Sequence, residues 1–309
     1  MTQCPAIAVI VPCYNEAAAI ATVVRDFRAA LPAARILVFD NNSTDGTAEI
    51  ARAAGAEVFA APIQGKGNVI RQAFAAIDTD LYVLVDGDAT YEAAAAPHLV
   101  ETLLTHGLDM VIAARRANAD AAYRPGHRLG NRLLTGLINR LFGGRIDDLL
   151  SGYRVFSRRF VKSFPALATG FETETELTVH ALALGMPITE IATDYGARPD
   201  GSHSKLSTWR DGLRILVTAL KLFEKERPLI FFGMLTLLFG ALSILLALPI
   251  VVEFLATGLV PRFPTAILAT GLMVLAALSL GVGLIIDAIT HARRELRRLA
   301  YLAIPAPRR

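Results

Sequence analysis

Asp86, Gly87 and Asp88 place two carboxylates one residue apart at the end of LYVLVDGDATY, residues 81–91, whose first five residues are almost wholly apolar. Like charges this close repel, and each is costly to bury alone. The pattern fits a hard divalent cation, Mg²⁺ or Mn²⁺, which takes carboxylate oxygens and shares its shell with substrate phosphates. The plainer reading of a lone pair of this kind is a solvated turn. Three further polar clusters bear on the choice: Pro12-Cys13-Tyr14-Asn15-Glu16, Asp40 to Thr47, and Gln64-Gly65-Lys66-Gly67-Asn68. Read singly, each is a helix cap or a turn.

These clusters follow apolar runs that alternate with amphipathic ones. AIAVIV, ARILVFD, AEVFAA, LYVLVD and DMVIAAR read as strands. EAAAIATVVRDFRAAL, TDGTAEIARAAG, a segment from about Asn68 to Ile77, and EAAAAPHLVETLLTHG read as helices. Repeated strand–helix units predict an α/β fold with a mostly parallel sheet and helices on both faces. Ligands then bind beyond the carboxyl ends of the strands, where all four polar clusters stand. Cys4 and Cys13 read as small core residues, not as a disulfide or metal site.

VPCYNE, DNNSTDGT, GKGN and DGD, in this order and spacing, resemble the family 2 glycosyltransferases with the Rossmann-like, nucleotide-sugar-binding GT-A fold. DDLLSGYRVFSRR, GFETETELTVHALALGMPITEI and YGARPDGSHSKLSTWRDG are similar to the polyprenyl-phosphate branch, which includes dolichol-phosphate mannose synthases. The resemblance implies that Pro12, Tyr14, Asn15, Glu16, Asp40 and Asn42 hold base and ribose of a nucleoside-diphosphate sugar. It implies that Asp86 and Asp88, with Gly87 between them, hold the metal against the diphosphate. Several lipid-directed relatives carry a metal-binding glutamine at the position of Tyr91, so the rest of the metal shell is open. Lys66 either neutralises phosphate or is a surface lysine.

Ten arginines lie between Arg115 and Arg159, against three acids, Asp120, Asp147 and Asp148. Arginine suits bidentate phosphate binding and anionic headgroups, although most residues of such a run are solvated. The resemblance places groups for the acceptor phosphate in the region of Arg124 and Arg128, flanking His127, and Arg115, at the end of its strand, is well placed for either phosphate group. A phosphate acceptor is already anionic and needs no general base; a hydroxyl acceptor needs one. Asp147 and Asp148 therefore read either as that base or, preferably, as loop anchors. Ser204 and Lys205, in the small polar run GSHSK, are expected in a flap near the site.

The 309 residues are 53% hydrophobic, and a net charge of +3 argues against general nucleic-acid binding. Mean hydropathy is +0.45. The apolar runs at 229–256 and 265–289 are long enough to cross a bilayer. KLFEKERP before them and HARRELRR after them put both flanks on the cytoplasmic side. The segment around Trp209 reads as a helix lying on the membrane or packed on the catalytic domain. The expected organisation is a GT-A catalytic domain at 1–200, a flap and amphipathic juxtamembrane helix at 201–228, a two-helix transmembrane hairpin within 229–291 and a basic cytoplasmic tail at 292–309. The expected protein is an inverting glycosyltransferase of the inner (plasma) membrane, moving a hexose to polyprenyl phosphate, with a hairpin able to pack against copies of itself. Its rivals are transfer to a hydroxyl of a lipid-linked saccharide and a catalytically silent nucleotide-sugar-binding membrane protein.

Overall fold

The computed structural model describes residues 5–117, 125–170, 172–197, 217, 220–221 and 223–307, with side chains throughout except at 117–133. It divides into two compact units, residues 1–219 with 297–309, and residues 220–296.

The first unit is built on a seven-stranded sheet. Its strands are β1 (Ile7–Cys13), β2 (Arg35–Asp40), β3 (Glu57–Ala60), β4 (Leu81–Leu84), β5 (Met110–Ala117), β6 (Arg154–Ser157) and β7 (Ile188–Tyr195), in the order β3-β2-β1-β4-β6-β5-β7. β6 runs antiparallel to both its neighbours, and the other pairings are parallel. The near-continuous apolar runs are explained by burial on both faces. Val9 and Val11 of β1 face one core with Val38 and Val83, whereas Ala8 and Ile10 face a second core with Leu37, Tyr82 and Leu84. Helices α1 (Ile20–Ala30) and α4 (Ala96–His106) close the first core. Helices α3 (Lys66–Ala76), α6 (Arg158–Ser163) and α7 (Thr173–Leu184) close the second. Helix α2 is Thr47–Ala53 and α5 is Pro125–Phe142.

The chain direction of β6 matters for function. Because it is antiparallel, its amino end lies at the carboxyl edge of its neighbours, and the loop 147–153 that leads into it joins the polar edge of the sheet.

The second unit contains α8 (Pro228–Thr257), and most of α9 (Phe263–Leu302). Both are long and apolar enough to cross a membrane by length and composition. The buried residues of α9 are Ala269, Ala276, Gly283 and Thr290, one every seven positions, the spacing that favours a left-handed pair. Small residues there let the backbones approach, and Ser243 Oγ donates to the Ala269 carbonyl at 2.7 Å. A Cβ at Gly283 would meet Phe232 Cβ at 2.8 Å. Helix α9 continues well past the apolar run that ends near 289, so the stretch expected as a basic cytoplasmic tail is helical as far as Leu302. From Arg297 onward they belong to the first unit.

Candidate active site

The carboxyl edge of β1 and β2 is held together by short polar bridges. Asn15, with φ 52°, donates its N–H to Ser43 Oγ at 2.9 Å, and its Oδ1 accepts from Thr44 N at 2.8 Å. The Glu16 N–H donates to Thr47 Oγ1 at 2.9 Å. Burial opposes the charge of Asp45, but the Thr47 hydroxyl and the amides of Ala17 and Thr47 outweigh it, so the carboxyl lies below its ordinary value. Asp40 Oδ2 accepts from Ser43 N at 3.3 Å, whereas its Oδ1 is buried with no hydrogen-bond partner among the described residues. That is an acceptor suited to a donor on a base or ribose. Tyr14 is exposed, Pro12 half-buried and Asn42 exposed at the same rim. Asn42 Nδ2 donates to the Pro62 carbonyl at 3.0 Å.

Asn41, which the sequence reading passed over, is the staple of the next loop. Its amide donates to the carbonyls of Ala61 and Ile63 at 2.7 and 2.9 Å, and its Oδ1 accepts from Gly65 N at 2.8 Å. Gly65 has φ +122°, and a Cβ there would lie 2.2 Å from the Thr169 carbonyl oxygen. This loop delivers Lys66 inward. Its ammonium pairs with Asp86 Oδ1, and with Glu174 Oε1 at 2.6 Å. Burial pushes its pKa down, but the two carboxylates dominate and hold it above the ordinary lysine value. Lys66 is thus a buried cation, not a surface lysine.

Glu174 was not foreseen. Its signal was the alternation of acids in ETETE, which makes little sense on a helix unless those acids have fixed partners. Glu176 indeed accepts from the amides of Leu167 and Ala168 at 2.9 and 2.8 Å, shaping the loop against Gly65 and Gly67.

Asp86 is half-buried and Asp88 buried. Asp88 Oδ1 accepts from Thr90 Oγ1 at 2.6 Å. The approach is tight: a Cβ at Gly87 would lie 2.5 Å from Cys13 Sγ, and one at Gly152 would lie 2.4 Å from Asp86 Oδ2. Tyr91 is buried, its hydroxyl accepts from Gly152 N at 2.8 Å, and burial raises its pKa. It braces the loop that borders Asp86. Asp86 and Asp88 carry carboxylate oxygens of the kind that Mg²⁺ or Mn²⁺ takes, so they could hold such an ion. Among the described residues no group of three or more His, Cys, Asp or Glu side chains could hold a metal, so water or substrate oxygens would complete a shell begun by the Asp86 and Asp88 pair.

At the end of β5, Arg115 grips Asp148 in a bidentate pair, Nε and Nη2 each 2.7 Å from a carboxylate oxygen. Its guanidinium also lies over the Tyr195 ring at 5.5 Å. The amides of Asp147 and Asp148 donate to Glu190 at 2.6 and 3.1 Å. Burial raises the Glu190 pKa against the effect of those amides. The expected run of solvated or phosphate-binding arginines resolves into distinct roles. Arg154 is fully buried and donates to the carbonyls of Ser151 and Leu149 at 2.9 and 2.6 Å and to Thr178 Oγ1 at 2.8 Å. Arg158 pairs with Asp78 at 2.8 Å and Arg159 with Asp109 at 2.5 Å. His127 and Arg128 lie on α5, their side chains outside the described set; Arg124, Ser204, Lys205 and Trp209 lie outside the described residues.

A sheet ordered β3-β2-β1-β4, one antiparallel strand, and an acidic pair beyond β4 define the GT-A class of Rossmann-like fold. Residues 8–164 match the model of glycosyl transferase family 2, and the chain belongs to that family and is a glycosyltransferase. Glycosyltransferase AglJ of Haloferax volcanii is 34% identical over 304 residues, covering 96% of this chain and 98% of that protein. A dolichyl-phosphate hexose transferase of the same organism is 28% identical over 222 residues, 72% of this chain and 95% of its own. Among solved structures, glucosyl-3-phosphoglycerate synthase from Mycobacterium tuberculosis, in complex with Mn²⁺, UDP and phosphoglyceric acid, is similar with a TM-score of 0.59 and 25% identity. The match covers 71% of this chain and 78% of that one.

Proposed function

We propose that this glycosyltransferase moves a hexose from a nucleoside-diphosphate sugar to a polyprenyl phosphate, undecaprenyl phosphate in a bacterium, with α8 and α9 anchoring it in the plasma membrane and the catalytic unit facing the cytoplasm. The observation that carries the choice of acceptor is the commitment of Asp148: both its oxygens are held by Arg115, so it is an anchor for the end of β5 and not a general base. A phosphate acceptor needs no base, because it is anionic at neutral pH. The names of the similar dolichyl-phosphate hexose transferase and of the Mn²⁺- and UDP-bound synthase support the acceptor class and the donor class respectively.

In this reading Tyr14, Asn15, Glu16, Asp40 and Asn42 bind base and ribose, the orphaned Asp40 Oδ1 accepting a hydroxyl or base N–H. Lys66 faces the diphosphate, and Asp86 and Asp88 would hold Mg²⁺ or Mn²⁺. When bound, such an ion neutralises charge that develops on the leaving group. Arg124, Arg128 and His127 draw in the acceptor phosphate, with Ser204 and Lys205 on a covering flap. An acceptor phosphate oxygen forms a bond to the anomeric carbon as the bond to the diphosphate oxygen breaks. The nucleoside diphosphate leaves with the electron pair, and in-line geometry inverts the centre.

The rival acceptor is a hydroxyl on a lipid-linked saccharide, which would recruit the exposed Asp147 as base. Nucleotide release by Asp147→Asn with polyprenyl phosphate as acceptor separates the two. Wild-type turnover, kept within about threefold by Asp147→Asn, is expected; no wild-type turnover with this acceptor would favour the hydroxyl acceptor, and a loss of the order of 100-fold in the variant, the scale of a missing general base, would overturn the base-free step.

A further inference from the structure

Lys66 touches two carboxylates of unlike character. The Asp86 side chain is 29% exposed and lies in the loop beyond β4, whereas the Glu174 side chain is 5% exposed on a helix buried nearly all round. Lys66 itself is 10% exposed, its loop fixed by Asn41 and by the steric demand at Gly65. Asp86 is therefore the partner that a ligand from solvent can reach, and Glu174 the one it cannot.

We propose that Lys66 is an exchangeable counter-ion. With the donor absent it neutralises Asp86; when a divalent cation takes Asp86, the ammonium stays paired with Glu174 and faces the diphosphate. This rests on the reading of the edge as a donor-diphosphate site. Glu174 is what makes the exchange feasible, since without it the departing Asp86 would leave a buried cation unpaired, at high cost. Its second oxygen, Oε2, is buried with no hydrogen-bond partner among the described residues, so the carboxylate holds an acceptor in reserve for an ammonium that shifts toward it. Glu174 is then a positioning residue, acting on the substrate through Lys66.

The exchange predicts opposite signs for two substitutions in a readout that involves no turnover. Mn²⁺ binding to the full-length protein in detergent, without nucleotide, is measured from the free-ion electron paramagnetic resonance signal. Lys66→Met removes the competitor for Asp86 and should tighten Mn²⁺ by about tenfold or more, the scale of one close charge contact. The same variant should weaken binding of UDP with Mn²⁺. Glu174→Gln leaves Asp86 as the single carboxylate on Lys66 and should weaken Mn²⁺ about tenfold. Lys66→Arg keeps the charge and should stay near wild type. Should thermal melting show Lys66→Met misfolded, Glu174→Gln and Lys66→Arg carry the test. Mn²⁺ no tighter in a folded Lys66→Met, or no weaker in Glu174→Gln, would overturn the exchange. Failure of the wild-type protein to bind either UDP or GDP with Mn²⁺ would instead overturn the donor-site reading beneath it.

Discussion

The absence of a side chain at Gly152 is what allows Asp86 its position, because a methyl group there would sit 2.4 Å from Asp86 Oδ2. Gly152→Ala should leave the fold intact and lower kcat by about 100-fold, since a displacement of the order of 1 Å at a reacting centre has that effect; steady-state kinetics beside a circular dichroism spectrum checks both halves. A second residue sets a pH limit. Burial, with Arg297 nearby, pushes the His180 pKa down to about 3 from an ordinary 6.5. Between those values the unfolded chain carries a proton that the native protein lacks. Stability is therefore fully present above pH 6.5 and lost as pH falls below it, by at most about 1.4 kcal/mol per unit. Melting temperature against pH should show this slope, and His180→Leu should flatten it. At this scale Asp86 and Asp88 stood out in the sequence only together with the three other polar clusters, because a lone pair of acids after an apolar run also reads as a solvated turn. It concealed Glu174 and Asn41, whose partners are backbone groups and a lysine that only the folded chain brings near.

Strand β6 shows what an element adds beyond its residues. RVFS is too short to announce a strand, and an arginine at its start argues against one, yet all four residues are buried. Arg154 serves there as a framework donor, its guanidinium holding the Leu149 and Ser151 carbonyls and Thr178 while its burial lowers its pKa. Arg154→Met should release the 147–153 loop, lowering turnover at least tenfold and stability by about 2–3 kcal/mol from acceptors left unsatisfied; urea unfolding and kinetics measure the two effects. The strands β1, β2 and β4 were legible because parallel strands covered on both faces read as unbroken apolar runs. Strand β7 was not, because ITEIATDY is half-exposed along most of its length. Helix α7 carries almost no amphipathic contrast, since polar and apolar residues alike are buried around it.

At the scale of the molecule, the last residues of α9, from Arg297 onward, are part of the catalytic unit. The Tyr301 hydroxyl donates to Asp109 Oδ2 at 2.7 Å, and Arg159 lies 4.7 Å over the Tyr301 ring while pairing with the same, fully buried carboxylate. Asp109 precedes β5, so this latch is at the edge of the sheet opposite the candidate site. Tyr301→Phe should cost about 1–2 kcal/mol, as expected for one hydrogen bond to a charged acceptor, and leave kcat unchanged; a lowered melting temperature with normal turnover is the expected pair of readings. The latch was illegible in sequence because its partners are 192 residues apart. The account as a whole turns on the acceptor. The most direct measurement supplies purified protein in detergent with Mg²⁺ or Mn²⁺, labelled UDP- and GDP-sugars in parallel, and either undecaprenyl phosphate or undecaprenol. The account predicts label entering the organic phase with the phosphate and not with the alcohol, and none with Asp88→Ala. No label in the organic phase with undecaprenyl phosphate from any donor, or equal labelling with undecaprenol, would contradict it.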